Sequence, residues 1–207
     1  MLPAQGILIG RIYAMSNENL WERYWRIFSL KRWLIEMIRE VYFASIFSNC
    51  VKNFLKGGRV LEAGCGSAKI LEKLGKGYIR VGCDISHNAV MSARKRCKNL
   101  IICDIKKLPF RDDSFDLIFN QGVMEHFDDA ETINILTEFK RVSKNVLIIV
   151  PANTSVFRIY NPFDDAPDAT FFTPNHLRTI LKKIFKIVKV NYISESFFIS
   201  IAGYGSG

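Results

Sequence analysis

Three acids close three successive apolar runs: Glu62 after Val60-Leu61, Asp84 after Val81-Gly82-Cys83, and Asp104 after Leu100-Ile101-Ile102-Cys103. Behind the first acid stands Gly64-Cys65-Gly66, where glycines admit positive φ and let backbone approach a ligand closely. The helix that opens after this turn presents free N–H groups, which suit a carboxylate or phosphate. Asp84 follows the glycine turn by about twenty residues, the spacing at which a strand-end acid accepts bonds from both hydroxyls of a ribose. A carboxylate at Asp104 can accept from an adenine amino group, with Ile105 or Leu108 packed on the ring. Each residue alone has a plainer reading: a structural glycine turn, Asp84 capping the helix that starts near Ser86, and Asp104 as a turn aspartate. Their succession at the ends of three neighbouring strands, which line one crevice in a doubly wound sheet, favours a ligand.

The elements that must position these acids are legible from periodicity. Strands are expected at Arg59–Ala63, Tyr78–Asp84, Leu100–Cys103, Phe115–Asn120, Asn145–Pro151, Lys186–Ile193 and Phe197–Ala202. Helices are expected between them at Ser67–Leu74, His87–Lys98, Ala130–Val142 and Pro174–Phe185. Short apolar runs alternating with helix-length segments indicate βαβ units and an α/β fold. The last two strands are joined only by Ser194-Glu195-Ser196, too short for a parallel crossover, so they should pair antiparallel.

Upstream, Asn19 to Lys56 has a helical pattern, with Leu30, Leu34, Met37 and Val41 on one side and Arg32, Glu36 and Glu40 on the other. Its broad apolar face carries Trp21, Tyr24, Trp25, Trp33 and Tyr42. The expected organisation is a single domain over residues 1–207, with an N-terminal helical cap (1–56) and an α/β core (57–207). The most hydrophobic stretch, Ile27 to Val51, is interrupted by Lys31, Arg32, Glu36, Arg39 and Glu40, so no transmembrane helix is expected. The N-terminus lacks the basic segment of a signal peptide.

Five scattered cysteines with no CxxC pair suggest neither a zinc site nor a disulfide framework, and point to a reducing, cytoplasmic setting. The formal charge of +9 can attract nucleic acid, anionic lipid or acidic metabolites, or be a solvated lysine-rich surface. A nicotinamide dinucleotide fingerprint is disfavoured, because its third glycine would fall at Lys69.

Taken together, Leu61-Glu62-Ala63-Gly64-Cys65-Gly66, Gly82-Cys83-Asp84-Ile85-Ser86, Cys103-Asp104 with Leu108-Pro109-Phe110, and Phe115-Asp116-Leu117-Ile118 followed by Gly122-Val123-Met124-Glu125-His126 resemble class I S-adenosylmethionine-dependent methyltransferases. The chain is most similar to their type 11 branch, which includes quinone-biosynthesis enzymes. The resemblance runs from Val60 to Pro151. It implies a Rossmann-like, doubly wound, seven-stranded sheet, mostly parallel with an antiparallel C-terminal hairpin. It implies S-adenosylmethionine as cofactor and S-adenosylhomocysteine as product. The cofactor contacts it implies are Glu62, Gly64, Cys65, Gly66, Asp84, Ile85, Asp104, Ile105 and Asn120, with no metal. Glu62, Gly64 and Gly66 would surround the methionine part, Asp84 would hold the ribose, Asp104 the adenine amine, and Asn120 the cofactor's amino group.

In-line methyl displacement needs alignment, exclusion of water and, for a protonated nucleophile, a base. His126, after the fourth strand, is the catalytic candidate, and orientation of its loop is the alternative role. Glu125 can start a helix or pair with a lysine, and His87 and His176 are expected at the surface. Gln121-Gly122-Val123 follows Asn120 in place of the Pro-Pro-aromatic motif of base exocyclic-amine methylation, and no Pro-Cys nucleophile lies nearby. Further acids for metal-dependent catechol chemistry are not evident near Asp116 and Asn120. The expected acceptor is a small molecule. An RNA or protein acceptor docked on the basic surface, or a non-catalytic scaffold, is the alternative. The aromatic segment Asn153–Thr173 could close on a flat or lipidic acceptor, or tuck onto the core. The N-terminal aromatics with Arg23, Arg26, Lys31 and Arg32 could cover the cofactor or touch an anionic membrane.

Overall fold

The computed structural model describes residues 17–26, 43–151, 172–195 and 198–207. Seven strands, β1 (Gly58–Ala63), β2 (Tyr78–Asp84), β3 (Asn99–Ile102), β4 (Leu117–Gln121), β5 (Asn145–Pro151), β6 (Ile187–Glu195) and β7 (Phe198–Ser206), form one sheet. Their order is β3-β2-β1-β4-β5-β7-β6. The pairs among β1 to β5 are parallel, and β7 runs antiparallel between β5 and β6. Six α-helices accompany it among the described residues: α1 (Asn17–Arg26), α2 (Ala44–Phe54), α3 (Lys69–Leu74), α4 (His87–Ala93), α5 (Asp129–Val142) and α6 (Pro174–Lys182).

Alternation along the strands divides the core in two. Ile118, Val146, Ile148 and Val150 point to α5 and α6, where they meet Ile135, Leu136, Phe139, Leu177 and Leu181. Val60, Leu117, Phe119, Leu147 and Ile149 point the other way, to Phe47 and Val51 of α2, Leu71 of α3 and Ala93 of α4. Both faces are covered, which is why these strands read as unbroken apolar runs. The helices begin where side chains can cap them. Ser86 accepts from Ala89 N, Asp128 and Glu131 form a reciprocal capping box, and Thr173 accepts from His176 N ahead of Pro174.

Strands β2 and β5 have the expected bounds, and the antiparallel hairpin is present. The other elements are shifted at one or both ends, most by one to three residues, and three of the shifts have a physical reason or consequence. Phe115 makes only an isolated bridge to Ser143, and the strand proper starts at Leu117. Helix α4 stops at Ala93, and the basic stretch to Lys98 is a turn. The last strand does not end at Ala202 but continues through Gly203-Tyr204-Gly205-Ser206. Its glycines leave bare backbone, on which α6 and the residues after it lie directly. A Cβ on Gly203 would stand 2.6 Å from Leu181, and one on Gly205 2.4 Å from Phe185. Gly205→Ala should therefore lower the unfolding free energy by about 1–3 kcal/mol, the usual cost of overpacking. A denaturant midpoint equal to that of the wild type would show that Phe185 yields freely.

Residues 17–26 and 44–54 of the expected cap are helical, while Trp33 and Tyr42 lie outside the described residues. The segment Asn153–Thr173 is described only at Phe172 and Thr173. No helix among the described residues is long and apolar enough to cross a membrane.

Candidate active site

The chain leaves β1 at Ala63 and turns sharply over the end of β2. Gly64 N and Cys65 N both donate to the Cys83 carbonyl at 2.8 Å, and Gly66 N donates to Asp84 Oδ2 at 2.8 Å. Gly64 and Gly66 have φ of 75° and 49°. A Cβ on Gly64 would lie 2.5 Å from Val123 Cγ2, so position 64 is excluded to larger residues by space as well as by conformation. Ala68 is left-handed (φ 58°), and α3 starts at Lys69 rather than at Ser67. The turn is thus two residues longer than expected. The N–H of Gly66 goes to Asp84, so the cradle is made by the turn and the acid together.

Glu62 is 4% exposed, and its Oε2 has no hydrogen-bond partner among the described residues. Burial pushes its carboxyl well above the usual range, a backbone hydrogen bond from Leu71 opposes this, and the Asp84 charge adds to it. Asp84 is also buried. Its Oδ1 accepts from Ser86 N at 3.0 Å, while the cap of α4 is Ser86 itself. Burial raises the Asp84 pKa, hydrogen bonds from the Ser86, Gly66 and Ile85 backbones lower it, and the Glu22 charge raises it. Asn120 is fully buried, with neither amide atom bonded among the described residues. Cys65 is buried between the two glycines, and burial pushes its thiol up.

Asp104 lies outside this buried group. It is exposed, two residues past the end of β3, and accepts from Lys106 N at 2.9 Å in the geometry of a turn aspartate. Ile105 is buried in the core, and Ile85 is half-buried. The loop that carries Asp104 is held by α5. Arg141 donates to the carbonyls of Phe110 (2.9 Å) and Leu108 (3.1 Å) while pairing with Glu138 and Asp112.

His126 ends a 3-10 turn, Met124–His126, that follows β4, and its half-buried ring meets the Trp21 ring edge to face at 4.9 Å. Glu125 beside it is buried. His87 is exposed at the start of α4. His176 is at the surface, as expected, and it also makes two contacts. Its Nε2 lies 2.9 Å from Asp129 Oδ1 and its ring stacks on Phe172, which joins the start of α6 to the start of α5.

Helix α1 closes the crevice from above. Trp25 lies over Gly66, where a Cβ would come within 2.8 Å of its ring. Glu22 accepts from the backbone and side chain of Asn88 in the first turn of α4. Neither Glu22 nor Asn88 is marked by any sequence motif, since 66 residues separate them.

Residues 61–149 match the family described as "Methyltransferase domain", type 11. The chain is 37% identical over 109 residues to "Probable tRNA methyltransferase 9B" of Mus musculus, covering 49% of this chain and 24% of that protein. It is 37% identical over 76 residues to the tRNA (carboxymethyluridine(34)-5-O)-methyltransferase of Xenopus tropicalis, covering 37% of this chain and 12% of that one. The chain thus spans a quarter or less of the length of these two relatives. Its fold is that of the magnesium protoporphyrin IX methyltransferase of Synechocystis PCC 6803, crystallised with S-adenosylhomocysteine. That likeness has a TM-score of 0.66 at 14% identity, over 98% of this chain and 100% of the other.

Proposed function

Because residues 61–149 of this chain are a class I S-adenosylmethionine-dependent methyltransferase domain of type 11, we propose that the chain methylates an RNA acceptor. The similarity to tRNA methyltransferases carries this reading, and the charge of +9 suits a phosphate backbone. The aromatic wall of Trp21, Tyr24 and Trp25 favours a second reading, a flat small-molecule acceptor.

The residues fit the cofactor. Buried acceptor atoms on Glu62 and Asn120 lack partners among the described residues, and the glycine turn is a cradle that a side chain would fill. When bound, S-adenosylmethionine supplies a methyl group on a sulfonium, already activated for displacement. Glu62 and Asn120 would take the polar end of its methionine part, and Asp84 the ribose hydroxyls. Asp104, with Ile85 and Ile105, would bound the adenine end. Trp21 and Trp25, over the crevice, would exclude water from it and so strengthen each of these contacts. His126, in the turn beyond β4, would face the acceptor. It would take a proton from a hydroxyl or amine acceptor. For an acceptor carboxylate, already ionised near neutrality, it serves only to orient.

The test supplies the protein with S-adenosylmethionine labelled in its methyl group, offering transfer RNA and a small-metabolite extract separately. Label in RNA, declining steeply with salt, is the expected result. Label only in the extract favours the small-molecule reading, and none in either, from a chain that binds the cofactor, would sink both.

A further inference from the structure

Among the described residues, α1 adds none to the two core clusters; it packs along α4 and makes its named side-chain contacts at the crevice. Three of them fall within five consecutive residues. Trp21 meets His126, Glu22 holds Asn88, and Trp25 covers Gly66. The last two belong to the cofactor half of the crevice, because Gly66 bonds Asp84 and Asn88 lies in the helix turn that follows it. The first lies beyond β4, on the side proposed above for the acceptor.

We propose that α1 couples these halves, with Glu22–Asn88 as its latch and Trp21 as a positioning residue for His126. The proposal rests on the methyltransferase reading above. Trp25 lies on Gly66, whose N–H is held by Asp84, and the Glu22 charge reaches Asp84, so α1 rests on the same turn that Asp84 holds. A ligand on Asp84 and Gly66 thus favours the closed α1, and the closed α1 holds Trp21 against the imidazole. By linkage, whatever strengthens one contact strengthens the other.

The test is a titration of the full chain with S-adenosylhomocysteine, followed by calorimetry and by the His126 ring carbon–proton NMR signal, assigned with His126→Asn. In the wild type the His126 signal should move as the ligand binds. Trp21→Ala should weaken binding by about fivefold, the reciprocal cost of the lost contact, while its His126 signal stays still, and Trp21→Phe should restore both. Glu22→Ala should weaken binding by about fivefold and reduce the movement. A His126 signal that responds in Trp21→Ala as in the wild type overturns the proposal, as does an unaltered affinity and response in Glu22→Ala. A wild-type chain that binds no S-adenosylhomocysteine removes the cofactor reading itself, and the coupling with it.

Discussion

Asp84→Ala should weaken S-adenosylhomocysteine binding by at least about a hundredfold, equivalent to about 2.7 kcal/mol. One carboxylate is asked to do two things. It anchors the glycine turn through Gly66 N and the start of α4 through Ser86 N, and its remaining lone pairs would receive the ribose hydroxyls. Hydrogen bonds to a charged group contribute about 1.5–3 kcal/mol each, and donors left unpaired in a buried site cost a similar amount. The variant should therefore also lose about 2–4 kcal/mol of unfolding free energy. Asp84→Asn separates the two effects, because an amide oxygen can still serve one backbone donor but carries no charge. It should recover part of the stability and little of the affinity. Calorimetry and denaturant melts on the same samples decide the matter. Undiminished affinity in a folded Asp84→Ala protein would mean that the crevice is not the ligand site.

Glu62→Gln should move stability and binding in opposite directions. Burial holds the Glu62 carboxyl well above its unfolded value, so the folded chain keeps a proton that the unfolded chain releases. That contribution to stability is fully present below the unfolded carboxylate pKa and is lost as pH rises through the folded one. Glutamine has nothing to ionise, so the ligand-free variant should be more stable than the wild type near neutrality, with the gap closing in acid. Binding should respond the other way. An ionised Glu62 suits the ammonium of the cofactor's methionine part, and removing that charge should weaken binding by about 10- to 100-fold. Melting temperatures between pH 4 and 8 check the first half, and affinities at neutral pH check the second. A wild type and variant with parallel stability profiles would show that Glu62 is ionised in the folded chain without penalty. The trade is the expected one for a binding site kept at the expense of stability.

Much of this was legible along the chain because it is written in local periods. The bounds of β2 and β5 follow from apolar runs ended by Asp84 and Pro151. The glycine turn and its two flanking acids were identifiable because a strand, a turn and a helix must each use residues of the right type in succession. The parallel order of the sheet followed from the alternation of strands and helices, and the hairpin from a connection too short to cross over.

Other features depend on what the fold sets beside a residue. Gly203 and Gly205 resemble a tail by composition, and only the side chains of Leu181 and Phe185 pressing on them reveal a strand. Ala68 is left-handed, with its N–H turned back to the Cys65 carbonyl, and α3 starts only after it, which no propensity records. His176 is a surface histidine by sequence and in the fold, but its partner Asp129 comes from 47 residues away. Composition and period determined the sheet, the glycine turn and the acids of the crevice, since burial and backbone conformation act residue by residue. The partners of those acids, the closing of α1 over them and the neighbour of His126 were decided by tertiary structure. Each is a contact between distant segments, made only once the chain has packed.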